Sequence, residues 1–481
     1  MWTARYQIAL GEPVRVEEVS ITIINAGSDE EPIRRSAQAK MSRGQRLLHR
    51  DYEAKKSSLL EAARHRGYLD ATFLTSTLLI DRERKTANIT FKLDVGMQYK
   101  FGPVEFSQRI LSEELINEFM TFAEGEVFNT SKLLALQLAL NDSGYFSRAD
   151  VRAEKSQAEQ DRIPVIVTVE PSKKREYVYG IGYGTDTGFR TRLGIEFRRI
   201  NQRGHKVDTE LLLSEVKQSV IAQYIVPFGK PGGDSLRYQT RYEQEKVGDG
   251  DAKRLFLGVS FNDRWHGWQR RLYLDYLNET FEFGSTRDTV NFLIPGISLN
   301  YRKADDLLLP QHGYSWFIDL HGGSELIVSD TSFIQGRASG QRVWSPTERS
   351  RLLAKAEYGA TTVDSFDALP TTERFFAGGD RSVRGYAYQS LAPTDDEGNT
   401  IGGRYLFTSS LEVDYLFYHN LGGALFFDAG DASDDHHFDL SRGVGAGFRW
   451  ASPVGMFRLD IARPLDEEKS FRVHIGIGAD L

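Results

Sequence analysis

The chain has 481 residues, of which 40% are hydrophobic and 12% aromatic, and its formal net charge is -7 at pH 7. This length exceeds what one ordinary globular core requires, so we expect more than one folding unit. The 60 basic and 67 acidic residues are mixed along the chain, which argues against a nucleic-acid binder. The mean hydropathy of -0.41 and the absence of an apolar run of about 18 residues argue against membrane-spanning helices.

Cysteine is absent from the sequence, which removes disulfides, zinc–thiolate sites and thiol nucleophiles together. The sequence also lacks the HExxH, GxSxG and P-loop motifs of common hydrolases and nucleotide-binding proteins. A group of Asp and His residues at 434–439 is better explained as a solvated turn than as a metal site. We therefore predict a protein that is not an enzyme and that has no cofactor, metal or bound nucleotide.

Residues 14–172 contain two copies of one predicted element order: strand, helix, helix, strand, strand. The first copy, residues 14–97, is predicted to consist of strand Val14–Ile24, helices Pro32–Met41 and His49–His65, and strands Ala71–Asp81 and Thr86–Val95. The second copy, residues 98–172, is predicted to consist of strand Tyr99–Phe106, helices Ser112–Phe122 and Asn129–Asn141, and strands Asp150–Lys155 and Ile163–Glu170. Residues 1–13 are similar to the end of a further copy, which predicts that they are the last part of a truncated unit.

A Gly-Tyr pair follows the second helix of each copy, as Gly67-Tyr68 and Gly144-Tyr145. Glycine at this place is typical of a left-handed helix stop, and the aromatic ring can pack back on the helix, so we interpret both pairs as structural. A repeat of about 80 residues with this element order resembles POTRA domains, the periplasmic modules that precede outer-membrane assembly barrels. The resemblance implies that residues 14–97 and 98–172 are two periplasmic POTRA domains and that residues 1–13 end another.

From residue 175 to the end, helical periodicity disappears and about sixteen short alternating segments follow, separated by Gly, Asp, Asn and Pro. In one segment, Val207, Thr209 and Leu211 alternate with Asp208 and Glu210. Such alternation suits strands with one face toward lipid and the other toward a wet lumen. A soluble β-sandwich is the alternative, but the even run of segments favours a transmembrane barrel. The predicted fold is α+β repeats followed by an all-β antiparallel transmembrane barrel over residues 175–481.

The longest interruption of the strand pattern, Thr361–Gly403, lies between the eleventh and twelfth predicted strands and contains the sequence GGDRSVRGY. Loops of this length usually have a function. The motif closely resembles the loop signature of the BamA and TamA superfamily of outer-membrane assembly proteins, in which the loop folds back into the lumen. The resemblance carries over to Gly378, Gly379, Ser382, Val383, Arg384, Gly385 and Tyr386.

Arg384, if it lies in a lumen, requires a carboxylate partner because an unpaired guanidinium in a confined site is costly. The family's inner-wall pattern of Phe, Asp and Gly at alternate positions matches the segment LFFDAG, and we predict that Asp428 is the partner. Further candidates for contacts between the loop and the inner wall are Phe426, Gly430, Glu412, Arg458 and Asp460. The alternative is a surface loop in which Arg384 is solvated.

Glycines alternate with large residues in the first and last predicted barrel strands, as Gly180, Gly182 and Gly184 in the first and Gly476 and Gly478 in the last. Glycine weakens a strand through backbone entropy and lost packing. We therefore hypothesise that the seam between these strands is a lateral gate whose open edge pairs with a client strand. The sequence leaves an alternative equally open, namely that the glycines make room for the loop.

Within the superfamily, the small number of POTRA units and the reading FFAGGDRSVRGY favour the TamA branch. That resemblance implies an ATP-independent insertase in the outer membrane that assembles client β-barrels such as autotransporters, with a TamB-like periplasmic partner and no nucleic acid. A BamA-type core insertase, a two-partner secretion transporter and, from another class, a passive pore are the alternatives. The chain departs from the family pattern at Met456, where proline is usual, and at Leu481, where many barrels end in an aromatic residue.

Overall fold

The chain divides into two compact units, Met1–Ser172 and Lys173–Leu481. The computed structural model describes residues 12–36, 41–184, 188–228, 233–283, 286–306, 308–418, 420–453, 455–466 and 471–478. Residues 1–11, and with them most of the predicted remnant of a preceding repeat, lie outside the described residues.

Two copies of a strand, helix, helix, strand, strand order make up the first unit. They comprise β1 (Arg15–Ile24), α1 (Glu30–Ser36), α2 (His49–Arg64), β2 (Thr72–Asp81), β3 (Thr86–Asp94), β4 (Lys100–Ser107), α3 (Glu113–Glu118), α4 (Thr130–Asp142), β5 (Phe146–Ala153) and β6 (Arg162–Pro171). The strands form two three-stranded sheets with the orders β1-β3-β2 and β4-β6-β5. In both sheets, the central strand is parallel to the first strand of the copy and antiparallel to the other.

The cores of both copies are apolar. In β3, the residues Ala87, Ile89, Phe91 and Leu93 are each at most 1% exposed and alternate with more exposed neighbours. A period of two turns one face of a strand toward the core. In the second copy, Leu136 of α4 is fully buried in a cluster of the same kind. Each copy therefore has a hydrophobic core of its own.

The two Gly-Tyr pairs have the backbone conformation that a helix stop requires. The φ angle is +84° at Gly67 and +77° at Gly144, a region that favours glycine. Gly67 also lies at the joint between the copies, where an added Cβ would come within 2.7 Å of the Tyr99 carbonyl oxygen. The amide of Tyr99 donates to the Gly67 carbonyl at 2.9 Å. Gly67 therefore permits close packing of the two copies in addition to ending its helix.

A carboxylate at the same joint connects the two copies. The Tyr99 hydroxyl donates to Asp70 at 2.6 Å, and Lys155 forms an ion pair with the same carboxylate. Hydrogen bonds from Lys155 and then from Tyr99 hold the pKa of Asp70 below its usual value. The pKa of Tyr99 is raised in turn, chiefly by its hydrogen bond to Asp70. The charged form of Asp70 therefore stabilises the joint.

Sixteen strands, each antiparallel to its neighbours and arranged in sequence order, form the second unit. They are β7 (Arg175–Gly184), β8 (Gly188–Phe197), β9 (Lys206–Ser214), β10 (Lys217–Pro227), β11 (Ser235–Val247), β12 (Gly250–Trp265), β13 (Trp268–Phe283), β14 (Thr286–Ala304), β15 (His312–Gly323), β16 (Phe333–Thr347), β17 (Ser350–Val363), β18 (Tyr405–Tyr418), β19 (Leu421–Ser433), β20 (Ser441–Ser452), β21 (Gly455–Pro464) and β22 (Arg472–Gly478). The predicted fold class is thereby confirmed. In the described part of the chain, no helix has the length and apolar character needed to cross a membrane.

The two ends of the sheet, β7 and β22, lie side by side, so the sheet curves into a barrel. Its outer face is apolar: Trp316, Ile318 and Leu320 on β15 are 45–53% exposed. Charged side chains such as Glu279 and Arg449 are instead fully buried. This division is the one expected for strands between lipid and a filled lumen.

Candidate functional site in the barrel lumen

The loop at residues 364–404 connects β17 and β18, and its central part is buried rather than solvated. Val383 is fully buried, and Arg384 and Tyr386 are 8% and 3% exposed. The alternative of a surface loop with a solvated Arg384 is therefore wrong.

Arg384 makes a two-pronged contact with Asp428 of β19. Its Nε lies 2.7 Å from Oδ2 of Asp428, and its Nη2 lies 2.9 Å from Oδ1. The backbone N–H of Arg384 also donates to Oδ2, at 3.1 Å. A bidentate arginine–carboxylate pair fixes orientation as well as charge. Asp428 thus determines both the position and the direction of the Arg384 side chain.

Two more carboxylates and an aromatic ring surround the Arg384 guanidinium. Its Nη1 lies 2.8 Å from Oε2 of Glu412 on β18 and 2.9 Å from Oδ2 of Asp460 on β21. The guanidinium carbon lies 3.4 Å from the centroid of the Phe426 ring, close enough for a cation–π attraction. One side chain of the loop therefore contacts three wall strands, β18, β19 and β21.

A second arginine, Arg449 of β20, shares two of these carboxylates and was not selected from the sequence. It is fully buried and lies 2.7 Å from Glu412 and 2.5 Å from Asp460. Because a buried carboxylate without a partner is costly, Arg449 stabilises both acids while Arg384 binds their other oxygens. Arg449 lies on β20 two residues after Gly447, and therefore on the same face of the strand. This alternation is the sequence pattern that could have indicated an inward-facing arginine.

Two glycines of the wall allow the loop backbone to approach closely. A Cβ at Gly430 would come within 2.9 Å of Cγ2 of Val383, and a Cβ at Gly443 within 2.0 Å of the Arg384 carbonyl oxygen. Gly430 was selected from the sequence for this role and Gly443 was not. Any side chain at Gly443 would displace the loop, because the contact is with backbone atoms rather than with a flexible side chain.

The motif itself contains a tight turn. Gly378, Gly379 and Gly385 have φ angles of +99°, +101° and +101°, where a side chain would be strained. The Ser382 hydroxyl accepts a hydrogen bond from the Gly378 N–H at 2.8 Å. These residues therefore shape the backbone that presents Arg384.

The end of the motif contacts the last strands of the barrel. The Gly385 N–H donates to Nε2 of His474 on β22 at 3.4 Å, and the Tyr386 hydroxyl lies 3.5 Å from the carbonyl oxygen of Arg442. Arg458, in contrast, lies across the ladder from Arg449 on one side and from Gly476 on the other. Its predicted contact with the loop stays a prediction.

An added Cβ at the seam glycines Gly180, Gly182 and Gly476 would not contact the loop. A Cβ at Gly180 would meet the Cβ of Arg192, and a Cβ at Gly182 would meet Nε of Arg190, both on β8. A Cβ at Gly476 would meet nothing within 4 Å. Gly184 and Gly478 are the last residues of β7 and β22. At these three positions, space for the loop does not explain the choice of glycine.

Family models match most of the chain. The model described as the Omp85 superfamily domain matches residues 184–480, and the POTRA model, described as surface antigen variable number repeat, matches residues 99–172. The assignment of residues 14–97 as a further POTRA domain stays a prediction from the repeat pattern.

Two curated relatives are both named outer membrane protein assembly factor BamA. The protein from Nitratidesulfovibrio vulgaris is 27% identical over 394 residues, which make up 78% of this chain and 49% of the relative. The protein from Neorickettsia risticii is 22% identical over 428 residues, which make up 80% of this chain and 55% of the relative. The chain thus spans about half the length of these curated relatives.

The fold is similar to that of solved structures. BamA from Haemophilus ducreyi lacking POTRA domains 1–3 has a TM-score of 0.78 at 17% identity, covering 97% of this chain and 99% of that one. CdiB from Acinetobacter baumannii has a TM-score of 0.53 at 13% identity, covering 98% and 91%. At these identities the likeness concerns the fold. Since the superfamily model covers more than half of the sequence, the chain belongs to the Omp85 superfamily, as an outer-membrane β-barrel preceded by a periplasmic POTRA domain.

Proposed function

We propose that this protein is an outer-membrane assembly factor that promotes the insertion of client β-barrels into the membrane. The observation that carries the proposal is the seam of the barrel. Every neighbouring pair of strands from β7 to β22 is joined by a hydrogen-bonded ladder, whereas β7 and β22 are not paired with each other within the described residues. The curated relatives named as assembly factors support the same function.

An unpaired strand edge gives this chemistry a physical basis. In lipid, unsatisfied backbone N–H and C=O groups are costly, so a client strand gains by pairing with an exposed edge. Successive strands can then add by β-augmentation. Because backbone pairing and burial in lipid supply the favourable free energy, the reaction requires no nucleotide. We propose the seam between β7 and β22 as the lateral gate for this exchange.

The glycines of the seam support a weak closure. Gly476 has open space around its missing Cβ, so no neighbouring group requires glycine there. Glycine within a strand costs stability through backbone entropy. We propose that Gly180, Gly182, Gly184, Gly476 and Gly478 keep the two seam strands easy to separate.

The Arg384 cluster has a complementary role in the proposal. By contacting β18, β19 and β21 from one guanidinium, the loop holds β21, the neighbour of the seam strand β22, in one arrangement with β18 and β19. We propose that this support keeps β22 in register for client pairing while the seam itself opens.

The BamA-type branch is the one we propose, because the two curated relatives with that name align with 78% and 80% of this chain. The TamA branch, with autotransporter clients and a TamB-like partner, is the second candidate, and the loop reading FFAGGDRSVRGY favours it. Comparing an autotransporter barrel with a non-autotransporter barrel as clients separates the two candidates. Equal acceleration supports the BamA type, and acceleration of the autotransporter alone supports the TamA type.

The first test is the folding rate of an unfolded client barrel in lipid vesicles that contain this protein. We expect acceleration by the wild type, a weaker effect of Arg384→Ala, and a normal effect of the matched control Arg381→Ala, whose side chain is exposed. Absence of acceleration by the wild type, together with steady ion conductance, would instead support a passive pore. Passage of a soluble client into the vesicle without acceleration of barrel folding would support a two-partner secretion transporter.

The gate has a separate test. Because cysteine is absent from the sequence, a disulfide engineered between β7 and β22 is the only one in the protein. We expect oxidation to abolish client insertion and reduction to restore it. Undiminished insertion by the oxidised protein would contradict the lateral gate without contradicting insertion as such.

A further inference from the structure

The lumen loop is held at a second place by residues outside the Arg384 cluster. We call residues 366–377 the stem of the loop and residues 380–386 its tip. The stem contacts β12, β13, β15 and β16. In the strand order, β12 lies eight strands from β20, which carries Arg449. The polar contacts of the stem therefore involve strands other than β18, β19 and β21, which Arg384 contacts.

The first stem contact joins Thr371 to a buried ion pair. Nη2 of Arg254 donates to the Thr371 hydroxyl at 2.7 Å, and the Thr371 N–H donates to Oε1 of Glu279 at 2.6 Å. Arg254 and Glu279 are themselves paired at 2.7 Å, and Arg254 also pairs with Glu243 at 2.6 Å. Thr371, Arg254 and Glu279 are at most 3% exposed. The wall thus offers the loop one donor and one acceptor that are already fixed by charge.

The second stem contact involves Glu373. Its carboxylate lies 2.8 Å from Nε2 of His321 on β15, and the other ring nitrogen of His321 faces Asp319. Its backbone carbonyl accepts a hydrogen bond from the Gln335 side chain on β16 at 2.7 Å. Two further strands therefore hold the stem.

Apolar packing adds to these polar contacts. Leu369 is fully buried in one cluster with Phe281 and Phe333 of the wall. Arg374 closes the stem on itself by donating to the carbonyls of Leu369 and Phe366 at 3.0 and 3.3 Å. Both polar and apolar contacts therefore hold the stem.

A turn with two glycines separates stem and tip. Gly378 and Gly379 follow the stem directly and have φ angles of +99° and +101°, a region that favours glycine. The Gly378 N–H donates to the Ser382 hydroxyl and the Gly379 N–H to the Val383 carbonyl oxygen. The stem therefore ends where this turn begins.

We propose that Arg254 and Glu279 are positioning residues that fix the stem to its wall independently of Arg384. Loss of either set of contacts should then undock its own part of the loop and leave the other part in place. The docking of the stem does not rest on the proposed function.

The test uses cysteine probes in the full chain, folded in detergent micelles. Leu369→Cys in the stem and Val383→Cys in the tip place one thiol each at a fully buried position in a protein without other cysteines. The rate of maleimide labelling measures undocking at each position. In Arg254→Met, we expect labelling at position 369 to rise about tenfold or more and labelling at position 383 to change less than about threefold. In Arg384→Met, we expect the reverse.

A milder variant guards against a failure to fold, because Arg254→Met leaves buried glutamates unpaired. Thr371→Val removes only the hydroxyl of the loop, and we expect labelling at position 369 to rise about threefold. The matched control Thr362→Val alters an exposed threonine of β17 and should change neither rate. Unchanged labelling at position 369 in both stem variants would overturn the proposal, as would equal rises at both positions in Arg384→Met. The readout involves no client, so a failure here differs from a failure of the proposed insertion activity.

Discussion

The cores of the repeats and the lumen of the barrel are both buried, but the lumen contains paired charges in addition to apolar clusters. In the repeats, the largest fully buried side chains are apolar, such as Phe91, Phe101 and Leu136. In the barrel, the side chains at most 2% exposed include Arg351 and Arg449. The removal of apolar area from water holds the first kind of interior, and paired charges also hold the second.

This difference matters because the two interiors respond differently to a missing group. Apolar contacts are non-directional, so a core keeps most of its stabilisation when neighbours shift slightly. A charge cluster depends on each partner, and losing one leaves the others buried and unpaired. A cluster of this kind therefore positions the loop in one register.

The largest expected effect is in the lumen. Arg384→Met leaves Asp428 buried without its main partner and should destabilise the docked loop by about 3–5 kcal/mol. The double variant Arg384→Met/Asp428→Leu should recover part of this loss, because no unpaired charge remains at that pair. Denaturant unfolding in micelles measures the loss of stability in the single and in the double variant, with Arg381→Met as the control. A double variant as unstable as the single one would argue that shape, and not charge pairing, holds the loop.

In the repeats, the matching change is Leu136→Ala on α4. Leu136 is fully buried, so its truncation should cost about 2–4 kcal/mol. Leu138→Ala on the same helix, where the side chain is 51% exposed, should cost less than about 0.5 kcal/mol. Calorimetry of the whole chain should show the loss in the transition of the repeats and leave the barrel transition in place. Similar losses for both variants would contradict the assigned core face.

The joint between the repeats provides a smaller effect that depends on pH. The pKa of Asp70 is lowered in the folded state, so its stabilising contribution is present above the unfolded pKa of about 3.9 and is lost as pH falls through the lower folded value. The carboxylate is partly exposed, so the contribution should be about 1 kcal/mol or less. Thermal unfolding of the repeats at neutral and acid pH tests this. Asp70→Asn should remove that part of the loss of stability at acid pH. If the variant loses as much stability at acid pH as the wild type, other carboxylates cause the loss.

The smallest effect concerns the seam. Gly476→Ala should stabilise β22 by about 0.5–1 kcal/mol, because the space for a methyl group is open and the strand loses less entropy. If a weakly closed seam aids insertion, Gly476→Ala should lower the folding rate of a client about twofold to fivefold. Gly336→Ala on β16, where a Cβ would lie 4.0 Å from Leu320, is the control away from the seam. Equal client folding rates with both variants and with the wild type would contradict the idea that a weakly closed seam aids insertion.

Most of the architecture was predictable because short-range patterns carry it. The helix and strand bounds in the repeats agree with the predicted bounds to within a few residues except at three elements. The predicted end of the first helix, Met41, is not helical, and residues 37–40 before it lie outside the described residues. Helix α3 is shorter than predicted, and strand β5 begins earlier. Periodicity and helix stops are local properties, so they can be read without knowledge of the fold. The stem contacts could not be predicted from the sequence, because Arg254 and Thr371 are 117 residues apart. No local pattern links two such positions.

The sequence by itself determined the repeated α+β order and the antiparallel barrel, because alternation and helix stops encode them locally. The resemblance of one motif to a known family indicated the segment that enters the lumen. Asp428 was predicted as the partner of Arg384 because the family's inner-wall pattern of Phe, Asp and Gly matches the segment LFFDAG. Only the tertiary structure decided that Arg449 shares those carboxylates, that Gly443 makes room for the loop backbone, and that residues of β12 and β13 hold the stem. Those contacts join distant strands, and closure of the sheet into a barrel is what brings them into reach.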